Sequence, residues 1–468
     1  MDAFRELNRG GGEAVMPAGT ESRQPNGASA AARPRIVIVG GGFAGVAAAG
    51  ALARCDADVL LIDRRNHHIF QPLLYQVATA VLSPSDVAAP LRQLARRQRN
   101  LTVMLGEVTD IDLAARSLRV SSPALPERTV PFDYLIIATG VRPTYFGHDE
   151  FAPYAPSLKT LADAEAIRGR ILSAYEQAEE TEDAEARARA LTFVLVGAGP
   201  TGVELAASIA QMARVTLVSN FRRIDPAETR ILLLEGAPHI LPSFHESLSR
   251  RAARHLHGLG VEVRTGVMVE KVDALGVSVG GQRIESNTVL WTAGVQASPL
   301  IKRLGVPTDR AGRASVGAQL SLAEHPHVFV IGDAASVMQN DRPLPGVAQV
   351  AIQQGRHVGR VLRAHLRERP PGAPFSYFDR GSMAVVGKNF ALLERGRLRL
   401  SGAATWLVWA LLHIMFLPQP QNRVRVQIQW LWSYLTGQRS ARLIPEAHPE
   451  ARANTTASAA PLTRAANS

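Results

Sequence analysis

The chain has 468 residues, 46% of them hydrophobic and 20% charged, a balance that suits globular cores and excludes a wholly disordered or fibrous protein. Its single cysteine, Cys55, excludes an intramolecular disulfide, a dithiol redox pair and a cysteine-rich zinc site. The 52 Lys and Arg against 41 acids leave a formal charge of +11, which favours anionic partners: phosphorylated cofactors, anionic lipid or nucleic acid.

Residues 1–33 are rich in Gly, Ala, Ser and Pro and carry neither sustained apolar periodicity nor a compact apolar stretch. They read as a disordered segment rather than a secretory leader. The β-branched run Arg35-Ile36-Val37-Ile38-Val39 then reads as a buried parallel strand. It opens into Gly40-Gly41-Gly42-Phe43-Ala44-Gly45 and a good helix former, VAAAGALA. This is G-x-G-x-x-G in strand–turn–helix context. Gly40 permits the turn, Gly42 lets backbone approach a pyrophosphate, and Gly45 lets helix and strand pack closely. A second strand, Val59–Ile62, ends in Asp63, an acid placed to meet ribose hydroxyls. Further on, the strand 133–137 ends in the small-residue turn Ala138-Thr139-Gly140.

The same device recurs. The run 191–196, LTFVLV, enters Gly197-Ala198-Gly199-Pro200-Thr201-Gly202 and a second helix, and the strand Ile231–Leu234 ends in Glu235. The intervening NFRRIDPAETR makes the interval to that acid longer than usual. No Arg follows in Gly236-Ala237-Pro238 to hold a 2′-phosphate, which favours NAD over NADP. A second small-residue turn, Ala293-Gly294, ends the strand after this fold, and Val328–Ile331 ends in Gly332-Asp333. A carboxylate there could accept a flavin ribityl hydroxyl. Two dinucleotide folds in one chain suggest two dinucleotides meeting face to face.

On these motifs the sequence resembles the two-dinucleotide flavoproteins of the glutathione-reductase-like fold. The resemblance implies an α/β architecture of two Rossmann-like domains, the NAD domain inserted in the FAD domain. The expected parts are an FAD-binding domain over 34–155 and 313–390, an NAD-binding domain over 156–312, a C-terminal membrane-associating segment over 391–443 and a disordered tail over 444–468. Thiol-dependent branches of the superfamily are excluded, because Cys55 precedes the second strand and reads as a small buried hydrophobe.

Where a redox cysteine would stand is HHIFQPLLYQ, residues 67–76. This segment, with GAGPTGVELA at 197–206, NFRRIDPAETR at 220–230, TAGVQASPL at 292–300 and LPGVAQVAIQQG at 344–355, closely resembles the type II NADH dehydrogenases, single-subunit NADH:quinone reductases that do not pump protons. One small departure is Ala80, where bacterial members often have Gly. The resemblance implies non-covalent FAD held by Gly40, Gly42, Phe43, Ala44, Gly45, Asp63, Arg64, Gln71, Val108, Ala138, Thr139, Gly140, Gly332, Asp333, Ala348, Gln349 and Lys388. It implies NAD held by Gly197, Gly199, Pro200, Thr201, Gly202, Glu204, Glu235, Ala293 and Gly294.

Four residues are candidates for the chemistry itself: Glu204, Gln349, Gln353 and Lys388. Gln349 and Gln353 share one helix face and offer uncharged amide donors to quinone carbonyls; the plain alternative is a polar helix face. Ala348, Ala351 and Gly355 keep that helix slim enough for a flat ring to approach. Glu204 corresponds by resemblance to an acid near the nicotinamide–flavin junction, and otherwise to a carboxylate complementing a helix dipole. Lys388 would stabilise charge on reduced flavin, or is an ordinary surface lysine. The histidines show no metal-ligand spacing.

From Leu400 to Asn422 there is no formally charged side chain. The continuous apolar part, 403–417, would be about 22 Å long as a helix, short of the roughly 30 Å hydrocarbon core. The segment 424–436 is ambiguous between strand and helix; Val424, Ile428, Leu431 and Leu435 at helical spacing favour a helix. Trp406, Trp409, Trp430, Trp432 and Tyr434 suit the headgroup boundary, and Arg residues bracket the pair of segments. The expectation is an in-plane anchor on an anionic lipid surface at the cytoplasmic face of the cell membrane, which accounts for part of the charge without nucleic acid. The competing reading is a buried helical pair or homodimer interface. Two other functions stay open: a soluble NAD(P)H-dependent flavoprotein reductase with a protein or small-molecule acceptor, and an NADH-responsive redox-sensing binding protein.

Overall fold

The computed structural model describes residues 33–122 and 125–445; the disorder expected of 1–32 and 446–468 lies outside the described residues. In chain order, the elements that position the site begin with β1 (Arg35–Val39), α1 (Phe43–Ala51), β2 (Asp58–Asp63), β3 (Leu101–Leu105) and β4 (Tyr134–Ile137). There follow α2 (Leu161–Glu180), β5 (Thr192–Val196), α3 (Pro200–Gln211), β6 (Arg230–Glu235), β7 (Val261–Thr265) and β8 (Thr288–Trp291). The chain continues with β9 (Val328–Val330), α4 (Ala348–His365), α5 (Ala403–Phe416) and α6 (Pro420–Thr436).

Two parallel sheets result, with strand orders β9-β4-β1-β2-β3 and β7-β6-β5-β8. The central strands are apolar along their whole length because both faces are covered: Ile36–Ile38 and Phe193–Leu195 are fully buried. β9 pairs in register with β4, Val328 against Leu135. The first sheet is therefore completed only after the whole second sheet has been built, which is the expected insertion. Val141–Pro143 pairs antiparallel with Val295–Ala297 beside this passage.

The small residues of α4 do something other than admit a flat ring. A Cβ on Gly355 would overlap the Ala44 carbonyl oxygen, one on Gly359 would overlap the Ala51 Cβ, and Ala351 is buried. They let α4 lie directly on α1, the helix of the first glycine turn.

After a three-stranded antiparallel sheet (Ser382–Val385, Ala391–Arg395, Leu398–Gly402), α5 and α6 form a helical hairpin. Residues 424–436 are helical, as their spacing favours, and Pro420 occupies the first turn of α6. One side of the hairpin joins the main core through Trp409, Leu417 and Val426. It is also pinned by side chains: Trp430 Nε1 donates to Gln76 Oε1 (2.7 Å) and Asn422 Nδ2 to the carbonyls of Ser85 and Ala88. Just beyond α6, the buried Arg439 donates to the carbonyls of Thr79 (2.7 Å) and Ser208 (2.9 Å). The expectation of a row of interfacial aromatics is corrected here. Trp409 is buried and stacks on the half-buried Trp430 at 5.5 Å, while Trp432 and Tyr434 are exposed. Arg439 likewise belongs to the interior rather than to a lipid-facing flank. The opposite side of the hairpin remains apolar and exposed at Leu407, Leu411, Met415, Ile428, Leu431 and Leu435. Among the described residues no helix is long and apolar enough to cross a membrane.

Candidate functional site

The two glycine turns are built alike. Gly40 and Gly197 have φ of +108° and +100°, a region that favours glycine. A Cβ on Gly45 would overlap the Gly40 carbonyl oxygen, and one on Gly202 the Gly197 carbonyl oxygen. The middle glycines differ from these: a Cβ on Gly42 or Gly199 would meet nothing within 4 Å. Each turn thus keeps open space beside the helix N-terminus, the shape a pyrophosphate needs. Each rests on a small-residue turn, Gly40 on Ala138-Thr139 and Gly197 on Ala293 beside Gly294.

Each is also tied to the acid that ends the neighbouring strand. Gly41 N donates to Asp63 Oδ2 (2.6 Å) and Arg65 N to its Oδ1 (2.7 Å). Ala198 N donates to Glu235 Oε2 (2.6 Å) and Ala237 N to its Oε1 (2.9 Å). Asp63 and Glu235 therefore hold the turns in shape, and the long interval to Glu235 leaves this geometry intact. Arg64 reaches Glu107 on the surface at 3.8 Å, with Val108 half-buried next in that strand.

Sequence reasoning did not single out His68, which is buried and supports the first turn. Its Nδ1 lies 3.0 Å from the Gly41 carbonyl, an acceptor only, so Nδ1 carries the proton. Burial lowers its pKa, which keeps the ring neutral. Its ring meets Phe43 edge-on at 5.0 Å. From Phe43 the ring contacts continue through Phe70 to His413 and Trp409 of the hairpin.

Between the segment 71–75 and α3 lies a cavity of about 60 Å³ lined by Gln71, Leu74, Tyr75, Leu158, Lys159, Thr201 and Glu204. Three expected residues, Gln71, Thr201 and Glu204, meet here. Tyr75 and Lys159 were missed. Tyr75 lies in the segment 67–76 but was given no role of its own, and Lys159 lies in a connecting segment without a motif. The Tyr75 oxygen accepts from Gln76 Nε2 at 2.9 Å, so its own proton is free to donate. Among the described residues Glu204 accepts one hydrogen bond, from the Val385 N–H at 3.4 Å. Burial pushes its carboxyl up to about 8, against an ordinary 4.5, so it is protonated at neutral pH.

A raised carboxyl pKa makes folding take up a proton. Stability from this group is therefore lost as pH rises from about 4.5 to about 8. Glu204→Gln keeps the shape without the charge. Its Tm relative to the parent should climb by several degrees across that interval and level off above it. Parallel melting curves at every pH would contradict the burial of this carboxyl.

The Gly332-Asp333 motif follows β9. Gly332 N donates to Oε1 of the buried Gln354 at 2.6 Å. Gln354 was also missed, although its spacing from the core residues Val350 and Val358 places it on the inner face of α4. Gln349 and Gln353 do share the opposite face, but their amides are engaged: Nε2 of Gln349 donates to the Gly381 carbonyl (3.0 Å), and Gln353 exchanges two bonds with the Phe378 backbone. Gln349 Oε1 is buried without a partner, as is Thr139 Oγ1 beside the first turn. Ala348 starts α4. Lys388 is exposed and does not line the cavity. Its Nζ donates to the Tyr434 carbonyl (2.8 Å) and lies 3.9 Å from that ring's centroid, so it fastens α6.

Residues 34–355 match the family described as Pyridine nucleotide-disulphide oxidoreductase. Type II NADH:quinone oxidoreductase Ndh of Mycobacterium tuberculosis is 44% identical over 431 residues, 90% of this chain and 92% of that protein. Demethylphylloquinone reductase NdbB of Synechocystis is 28% identical over 86% of this chain and 96% of its own. NDH2 from Plasmodium falciparum, solved in complex with NADH, has a TM-score of 0.81 at 20% identity over 88% of this chain and 100% of that one, a likeness of fold. An inserted pair of glycine-turn domains carried on a sequence 44% identical to Ndh across 90% of the chain is decisive, and the protein belongs to the type II NADH:quinone oxidoreductase family.

Proposed function

We propose that the protein binds FAD non-covalently at the first glycine turn and NADH at the second, and passes two electrons from NADH to a membrane quinone without pumping protons. The observation that carries this reading is the cavity lined jointly by the flavin-side residues Gln71 and Tyr75 and by Thr201 and Glu204 of the nicotinamide helix. The names of the relatives support the same acceptor class. The residues present fit both groups: open space at Gly42 and Gly199, a partnerless buried Thr139 hydroxyl beside the first turn, and Asp333 where a ribityl chain would end.

When bound, the two cofactors supply the hydride chemistry, transfer from nicotinamide C4 to flavin N5. The chain supplies position and protons. The N-termini of α1 and α3 take the pyrophosphates, and Asp63 and Glu235 fix the adenosine ends. Glu204 and Tyr75 hold two exchangeable protons at the junction, out of bulk water. Gln349, with an unused acceptor and a second N–H, frames the quinone side of α4; Gln353 holds the segment 378–381 around it. The exposed apolar side of α5 and α6, flanked by the exposed Arg395, Arg397, Arg423 and Arg425, lies on anionic lipid and brings a lipid-soluble acceptor within reach.

Flavin content and quinone reductase turnover of the purified protein test this. NADH should support turnover with kcat/KM at least about a hundredfold above NADPH, since a 2′-phosphate would meet the Glu235 carboxylate and like charges there cost several kcal/mol. Equal values for the two nucleotides, or protein without flavin, would contradict it.

A further inference from the structure

Lys159 is a half-buried cation that the fold holds at the cavity and, among the described residues, leaves without a partner. Its backbone is fixed: the N–H groups of Lys159 and Thr160 donate to Asp163 Oδ2 at 3.0 and 2.8 Å, and the Thr160 hydroxyl accepts from Asp163 N, closing the capping box that starts α2. Its side chain lines the cavity with Gln71, Tyr75, Thr201 and Glu204. Among the described residues its ammonium makes no hydrogen bond and no ion pair. The charge that acts on it is Asp333, which is not in bonding contact.

Drawing an ammonium partly out of water is unfavourable unless something in the site compensates. The two acids nearby do not do so. Burial raises the pKa of both Glu204 and Asp333, the opposite of what tight pairing with a cation would produce. Burial likewise lowers the Lys159 pKa, with Asp333 opposing weakly. The missing partner must be electron-rich, must reach a cavity between the flavin-side segment and α3, and must lie near Asp333.

Resting on the FAD assignment above, we propose that Lys159 contacts the flavin ring and supplies the fixed positive charge that stabilises its reduced, electron-rich form over its oxidised form. Lys159 would then set how readily the cofactor accepts electrons from NADH, a role that the sequence analysis assigns to Lys388. Asp333 would hold the ribityl end of the same cofactor.

The test compares Lys159→Met, Lys159→Gln and Lys159→Arg holoenzymes with the parent, using flavin midpoint potential and the dissociation constant of the flavin–sulfite adduct. Both readouts respond to charge at the ring and need no turnover. The neutral variants should stabilise reduced flavin at least tenfold less, which is about 30 mV more negative for a two-electron couple, and should bind sulfite at least tenfold more weakly. The Arg variant should stay within threefold of the parent. If a neutral variant sheds cofactor, apoprotein titrated with oxidised and reduced FAD gives the same ratio. Unchanged potential and sulfite affinity, equal loss of both redox forms, or an Arg variant as impaired as Met would each overturn the proposal. Absence of flavin from the parent protein would instead overturn the FAD assignment on which it rests.

Discussion

Replacing Leu407, Leu411, Ile428 and Leu435 together with glutamine is expected to release the protein from anionic lipid vesicles, lowering its partition coefficient at least about a hundredfold. All four are more than half exposed, on the side of α5 and α6 that faces away from the core. An apolar side chain of this size gains about 1.5–3 kcal/mol when fully removed from water, so even partial insertion of four makes a large sum. The substitutions avoid Trp409, Leu417, Val426 and Arg439, so the fold should melt as before and NADH oxidation with a water-soluble acceptor should persist. Deleting the hairpin would be a poorer test, because its inner side completes the core beside Gln76 and Thr79. Salt should weaken binding of the parent only in part, since Arg–lipid attraction is screened while apolar burial is not. Unchanged vesicle flotation would place the anchor elsewhere.

Gly199→Val should abolish productive NADH binding while leaving the fold and the flavin site intact. Gly199 precedes α3 with φ −68° and ψ −177°, a conformation that valine adopts readily, and a Cβ there meets no atom of the protein. The added branch would occupy the open space where the pyrophosphate approaches. A misplacement of about 1 Å at a reacting site already costs on the order of a hundredfold, so kcat/KM for NADH should fall at least that far. Melting temperature and FAD content should match the parent. Gly202→Ala is the contrasting control: its Cβ would overlap the Gly197 carbonyl oxygen, so that variant should lose stability as well. Undiminished NADH use by Gly199→Val would remove the second turn from the nucleotide site.

The contrast between these two glycines shows how much of the site was legible in the sequence. Strand–turn–helix context marked both turns and their acids because backbone geometry dictates those residue types locally. The inserted topology was implied by the family resemblance that these motifs carry. What escaped depends on contacts between distant segments. Lys159 sits in a connection with no motif, and only folding brings it to Glu204 and Gln71. Gln354 looks like one more glutamine in a run until α4 is seen to turn it inward to Gly332. The slim residues of α4 announced a close approach, but the approaching group is helix α1. Trp409 had a plausible place at a lipid boundary by residue type, and it is taken up by packing of the C-terminal hairpin.

The most direct test is an anaerobic two-step measurement on the purified protein. One equivalent of NADH should bleach the flavin absorbance, and a quinone added afterwards should restore it with stoichiometric loss of oxidised quinone. Flavin that NADH does not bleach, or that stays bleached in the presence of quinone, would contradict electron passage from one nucleotide turn through the other to a quinone.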